Sequence, residues 1–151
     1  MEFAIEHFEL NLSTIENFQI IDITDLLKNK IEQSAISHGQ LLVSVQHTTT
    51  ALTINENEER LWKDIQAFYQ KLVPASDRYL HNDLHLRDVP ENEPENAHSH
   101  LISMFLNTNE TLGVQEKELR LGTYQSVLFL ELDGPRQRKI YCQLMGTTHH
   151  L

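Results

Sequence analysis

The order in which hydrophobic periodicity changes along the chain constrains its fold more than any other feature. Two β-prone segments open it, residues 3–12 and 17–21, with polar residues 13–16 between them, and they read as a hairpin. Ile23, Leu27, Ile31 and Ala35 then recur every four residues, which predicts a helix capped by Asp22 or Thr24 and stopped at His38-Gly39. Residues 41–45, Leu-Leu-Val-Ser-Val, predict a buried strand. Leu61, Ile65, Phe68 and Leu72 mark a second helix over 56–71, with Glu56, Glu58 and Glu59 in its first turn, and Val73-Pro74 ends it. Residues 75–94 read as one long loop. Pro94 suits the start of a third helix, where Ala97, Leu101, Met104 and Phe105 share a face. Strands are expected at 119–121, 126–132 and 139–145, with Asp133-Gly134-Pro135 turning between the last two. Strands and helices do not alternate strictly, so the fold class is α+β.

A chain of 151 residues, without repeat or linker composition, is expected to form one domain over 1–151. Its 22 acidic and 12 basic side chains give a net charge of −10. No basic stripe is available to displace counterions from nucleic acid, and no polybasic segment suits anionic lipid. No apolar run approaches the length of a bilayer span, and residues 1–6 lack the pattern of a signal peptide, so the cytoplasm is the expected compartment. Cys142 is the single cysteine, set among Ile140, Tyr141, Leu144 and Met145, and reads as a buried packing thiol.

Nine histidines are the chemical signal. His149 and His150 lie at the C-terminus, and His7 and His38 read as structural or solvated. His47 stands where a buried strand ends, in His47-Thr48-Thr49-Thr50-Ala51, a place from which a ring can face a cleft. His98 and His100 are two positions apart on the predicted helix, about 200° in direction, so they cannot readily share one metal. His98 falls beside Ile102 and Phe105 and suits packing. His100 follows Asn96 by one turn, beside Ser103, and is the better ligand candidate. His81 and His85 sit in the long loop, and His81-Asn82-Asp83 joins an imidazole to a carboxylate. That donor set fits zinc or another borderline divalent ion better than calcium. Arg136 and Arg138 offer planar forks for an anion, or pair with the many acidic side chains.

Several segments together resemble the YjbQ-like family, the secondary thiamine-phosphate synthases. They run from His47-Thr48-Thr49-Thr50-Ala51-Leu52-Thr53-Ile54-Asn55-Glu56-Asn57 through Tyr79-Leu80-His81-Asn82 and Asn96-Ala97-His98-Ser99-His100. Leu121-Gly122-Thr123-Tyr124-Gln125 and the Glu131–Arg138 region, residues 131–138, complete the match. Tyr124 stands where the family has tryptophan, and Leu112-Gly113-Val114-Gln115-Glu116 replaces a short apolar-proline stretch. The resemblance implies mostly antiparallel sheets with about three helices, a homotrimer, and a metal pocket lined by His47, His81 and His100. It implies zinc, with magnesium as the alternative for a diphosphate substrate, and Glu56, Gln125, Arg136 and Arg138 as catalytic candidates. The reaction it implies joins a pyrimidine-methyl diphosphate to a thiazole phosphate, so the expected partner is a small phosphorylated molecule. Two other readings stand beside it. One is a zinc-dependent hydrolase or lyase with Glu56 or Asp83 as base, and the other is a non-catalytic trimeric module that binds a metal or anion.

Overall fold

The computed structural model describes residues 1–148, so His149 and His150 lie outside the described residues. β1 (Phe3–Ser13) is followed by β2 (Gln19–Asp22), α1 (Thr24–Gln33), β3 (Ile36–Ser44), β4 (Thr50–Asn55) and α2 (Glu59–Leu72). Two 3-10 turns, Leu80–Asn82 and Leu84–Leu86, interrupt the long loop before α3 (Ala97–Ser103). β5 (Asn109–Gln115), β6 (Glu118–Leu119), β7 (Ser126–Glu131) and β8 (Gln137–Thr148) complete the chain. The strands form two antiparallel sheets, ordered β1-β8-β3-β5-β6 and β2-β7-β4, and with the three helices this is an α+β fold.

β7 explains how the layers meet. Val127 and Phe129 enter one apolar cluster with α1 and the inner face of the five-stranded sheet. Leu128 and Leu130, pointing the other way, enter a second cluster with Trp62, Ile65 and Tyr69 of α2 and Ile102 of α3. The small sheet is thus buried on both faces, which is why Val127-Leu128-Phe129-Leu130 reads as an unbroken apolar run. Thr24 Oγ1 accepts a hydrogen bond from Val127 N at 2.8 Å, pinning the start of α1 to that strand.

Several elements differ from the sequence expectation. β1 and β2 do not form a hairpin, because β1 pairs with β8 over its whole length while β2 pairs with β7 in the other sheet. Thr14 holds the crossing between them, its hydroxyl donating to Glu131 at 2.7 Å and accepting from Arg136 N at 2.8 Å. His38-Gly39 does not stop α1, which ends at Ser34 with its N–H on Ile31 O, but lies within β3. Gly39 is needed there for close approach, since a Cβ would sit 1.9 Å from Met145 O of the paired strand. α2 begins at Glu59, because Glu58 is extended and its carboxylate caps Leu61 N. Its inward face carries Trp62, Ile65 and Tyr69, leaving Phe68 60% exposed. α3 buries Ala97 and Ile102, and it ends at Ser103, so Met104 and Phe105 leave the helical register and stand exposed.

β4 and β5 were not expected. β4 is half threonine and asparagine, yet Thr50, Thr53 and Ile54 are β-branched. β5 joins β6 through Glu116 and Lys117, both with left-handed φ of 52° and 63°, a turn that usually advertises itself by Asn-Gly. Contacts to the end of α1 and the start of β3 hold it instead, with Lys117 N on Ser37 O at 2.9 Å and Nζ on Ser34 O at 2.7 Å.

Candidate functional site

At one end of the small sheet a cavity of about 370 Å³ opens between the β3–β4 connection, the start of α3 and the β7–β8 turn. Gln46 takes a left-handed φ of 54°, turning the chain so that His47, Thr48 and Thr49 form one wall. Ser103 Oγ donates to Thr48 O at 3.2 Å and ties α3 to that wall. Asn96 and His100, one turn apart at the start of α3, contribute the opposite side. Asp133, Arg136 and Arg138 close the cavity, and Glu93 joins them from the loop.

His81 reaches this site through His100. The two rings meet edge to face with centroids 4.7 Å apart. Asn82 sets the placement, since its Oδ1 accepts from Ala97 N at 3.1 Å, and Arg87 Nη1 donates to His81 O at 2.9 Å. Burial first, and then the His81 ring, lower the pKa of His100 from its ordinary value. Burial and the Arg138 charge lower that of His47. Both imidazoles are therefore held neutral at pH 7, the form that ligates metals. His47 Nε2 lies 3.2 Å from both the N and O of Lys139, so its Nδ1 is the nitrogen left for a ligand.

The three-histidine expectation needs qualification by this geometry. His47 and His100 line one cavity and His81 packs on His100, but among the described residues no three His, Cys, Asp or Glu side chains gather closely enough to hold a metal. Neutral imidazoles in contact suit a borderline divalent ion, and a third donor must come from another residue type or from the ligand.

The two arginines have different environments. Arg138 is 6% exposed and spends Nε and Nη2 on Glu131, with Nη2 also donating to Thr49 Oγ1 at 2.9 Å. It is a buried strut beneath the His47 wall. Arg136 bonds Asp133 through Nε and Nη2 but keeps a side chain 42% exposed, so it can still meet an anion. Glu56 and Gln125 lie elsewhere. They line a separate depression with Tyr124 at the far end of β4, about 17 Å away along a six-residue strand. Gln125 Oε1 there accepts from Gly122 N at 2.8 Å. Asp83, the alternative base, pairs with Arg78 at 2.7 Å.

Other titratable groups lie outside this cavity. His98 is half-buried, with its pKa lowered by burial and its Nδ1 buried without a hydrogen-bond partner among the described residues, and His85 is exposed. His7 packs by Tyr141, whose hydroxyl lies 2.6 Å from Nδ1. Burial pushes the Cys142 thiol up to about 12, as a packing cysteine requires. Sequence reasoning did not assign Asn96, Asp133, Glu131 or Glu93 to the site. The one-turn spacing of Asn96 and His100, and the Asp133 turn before the arginines, were the available signals.

No described helix is long and apolar enough to cross a membrane. The family model for UPF0047 protein YjbQ-like matches residues 8–147. A UPF0047 protein of Methanothermobacter thermautotrophicus is 39% identical over 138 residues, covering 91% of this chain and 90% of that protein. One from Archaeoglobus fulgidus is 42% identical over 132 residues, covering 87% and 95% respectively. Among solved structures, a YbjQ-like protein of unknown function from Sulfolobus solfataricus P2 superposes with a TM-score of 0.86 at 33% identity, covering 97% of this chain and 100% of that one. A hypothetical protein from Aeropyrum pernix K1 gives 0.85 at 31% identity, covering 94% and 99%. Sequence and fold agree along nearly the whole chain, and it belongs to the YjbQ-like UPF0047 family.

Proposed function

We propose that the cavity bounded by His47, His100 and Arg136 binds a small phosphorylated molecule beside a divalent metal, and supports thiamine-phosphate synthesis as a side activity. The observation that carries this reading is the contact of His81 with His100, 4.7 Å between centroids, at a cavity that also presents a partly exposed arginine. Imidazole donors favour zinc over magnesium. His81 and His100 would hold the ion, and His47 would line the opposite side of the cavity. When bound, it would supply charge neutralisation at the departing diphosphate. In the reaction the thiazole nitrogen forms a bond to the pyrimidine methylene carbon, the carbon–oxygen bond to diphosphate breaks, and pyrophosphate leaves with the electron pair. Arg136 would bind a phosphate oxygen and favour that departure. Where His47 Nε2 accepts from Lys139 N, Nδ1 carries the proton and can donate to the same group. Glu56 and Gln125 of the same chain are too distant to take part, so any role for them requires a second copy, as in the homotrimer of the family resemblance. The unpaired outer edge of β1, with Phe3 62% and Ile5 50% exposed, is compatible with such self-association.

A zinc-dependent hydrolase or lyase is the second reading, favoured by Glu93, a carboxylate in the same cavity where a base would be needed. One assay separates the two. The zinc-loaded and magnesium-supplemented protein is given both pyrimidine and thiazole substrates, and thiamine phosphate and pyrophosphate are followed together. The synthase reading predicts equal amounts of both products, lost in His100→Ala. Pyrophosphate or phosphate released without thiamine phosphate would contradict it and support hydrolysis.

A further inference from the structure

Asp133 is a buried carboxylate whose side-chain bonds all run through one oxygen. The residue is 7% exposed, and Oδ2 accepts from Asn96 Nδ2 at 2.8 Å and from Arg136 Nη2 at 2.9 Å. Oδ1 accepts from no described residue. Among the described residues, the sealed side-chain atoms without a partner are Thr50 Oγ1, Asn96 Oδ1 and His98 Nδ1. Asp133 Oδ1 is not one of them, so it keeps access to the cavity that Asp133 lines. The backbone around it is pinned, with Asp133 N on Glu131 Oε2 at 3.3 Å and Arg136 Nε on Asp133 O at 2.8 Å. A carboxylate oxygen without a donor is costly to bury, and here the cavity is the side from which a donor can come.

Arg136 has the complementary arrangement. Nε and Nη2 are bound to Asp133, while Nη1 donates to no described residue and the side chain is 42% exposed. One 2.9 Å contact thus carries a free donor on its arginine side and a free acceptor on its aspartate side, at the same cavity. A phosphate drawn to Nη1 meets the carboxylate charge beside it, which repels it unless the ligand also brings a donor to Oδ1. A bare anion is therefore a poor fit, and an anion with a hydrogen-bond donor on its skeleton is a good one. We propose that Asp133 Oδ1 is the specificity-determining acceptor of this cavity, taking the exocyclic amino group of the pyrimidine diphosphate while Arg136 Nη1 holds its phosphate. This inference rests on the phosphate reading of the cavity and adds which half of the reaction occupies it. The ring amino group lies on the carbon next to the one bearing the methylene diphosphate, so one molecule offers both groups. The thiazole phosphate carries no N–H donor and is rejected at this position, since a site built to accept a hydrogen bond discriminates against a ligand that lacks it.

The test is calorimetry on the full chain in magnesium-containing buffer, with pyrophosphate, the pyrimidine diphosphate, and its analogue bearing hydrogen in place of the amino group. Each is titrated into wild type and Asp133→Asn, with folding checked by circular dichroism. The substituted amide can keep its oxygen toward Asn96 and Arg136 and turn its NH2 to the cavity, so the free acceptor becomes a donor. The proposal predicts that wild type binds the amino ligand at least about tenfold more tightly than the analogue. In Asp133→Asn that preference disappears, while pyrophosphate binds as tightly as in wild type or more tightly. Equal affinity of wild type for the two pyrimidines would overturn the assignment of Asp133 and leave the phosphate reading standing, a readout that holds even where Asp133→Asn fails to fold. An equal loss for all three ligands in a folded Asp133→Asn would also overturn it, since Asp133 would then only hold Arg136 in place. Wild type that binds none of the three would overturn both.

Discussion

The guanidinium of Arg138 meets the carboxylate of Glu131 at 2.6 Å, with the two side chains 6% and 0% exposed. Thr14 donates to the same carboxylate, and Thr49 accepts from the same guanidinium. Four segments, from both sheets and the His47 wall, therefore meet on one buried ion pair. Removing one partner leaves an unpaired buried charge, so Arg138→Leu should lower stability by about 3–5 kcal/mol in urea unfolding. A loss below about 1 kcal/mol would show that Arg138 is not the strut described.

The histidines predict how stability changes with acid. Burial, then the neighbouring His81 ring, lower the pKa of His100, and burial with Arg138 lowers that of His47. A histidine whose folded pKa is depressed takes up its proton more readily in the unfolded chain, near 6.5. Stability is thus retained above about pH 6.5 and falls as pH drops from there through the folded values. Metal-free protein unfolded in urea should show its midpoint declining from pH 7.5 to 5.5, with a shallower decline in His100→Asn. A midpoint that is flat or rises on acidification would contradict the burial of these rings.

Three glycines distinguish crowding from conformational freedom. A Cβ at Gly39 would meet Met145 O at 1.9 Å, and one at Gly146 would meet His38 O at 1.9 Å. Gly113, in the adjacent strand, would meet nothing nearer than Arg120 Cβ at 3.8 Å. Gly39→Ala should destabilise by about 1–3 kcal/mol or more, whereas Gly113→Ala should be neutral or mildly stabilising. Equal melting temperatures for the two variants would contradict the paired register of β3 and β8.

Arg136 and Gln125 should separate in ligand binding. Arg136→Gln removes the cavity's exposed guanidinium and should weaken thiamine phosphate binding by about 10–100-fold, corresponding to a charged hydrogen bond of about 1.5–3 kcal/mol. Gln125→Ala, on the distant depression, should change it little in a site contained within one chain. Calorimetry with thiamine phosphate checks both. An unchanged affinity in Arg136→Gln would remove the phosphate role, and a large loss in Gln125→Ala would show that a second copy completes the site.

What the sequence could show was set by how strongly each element advertises its environment. The run Val127–Leu130, residues 127–130, announced a strand buried on both faces, and Ile23, Leu27 and Ile31 announced the inner face of α1. Thr50 to Asn55 hid a strand because its threonines and asparagine break up the apolar pattern, and Glu116-Lys117 hid a hairpin because tertiary contacts replace turn chemistry. Pairing partners were the least legible, since β1 finds β8 more than a hundred residues away. In the site, His47 at a strand end and His100 on the polar strip of a helix were readable from local pattern. That Glu56 and Gln125 belong to the far end of β4, that Arg138 is spent on Glu131, and that Asn96 keeps an unpaired oxygen depend on the packed chain.

Metal content tests the central claim most directly. Wild type and His100→Ala, both with His149→Ala and His150→Ala, would be incubated with zinc, passed through gel filtration and measured by mass spectrometry. The account predicts about one zinc per chain in wild type, as for a single site of this donor type, and its loss in a folded His100→Ala protein. Wild type that emerges without zinc, or a folded His100→Ala variant that retains the full complement, would contradict it.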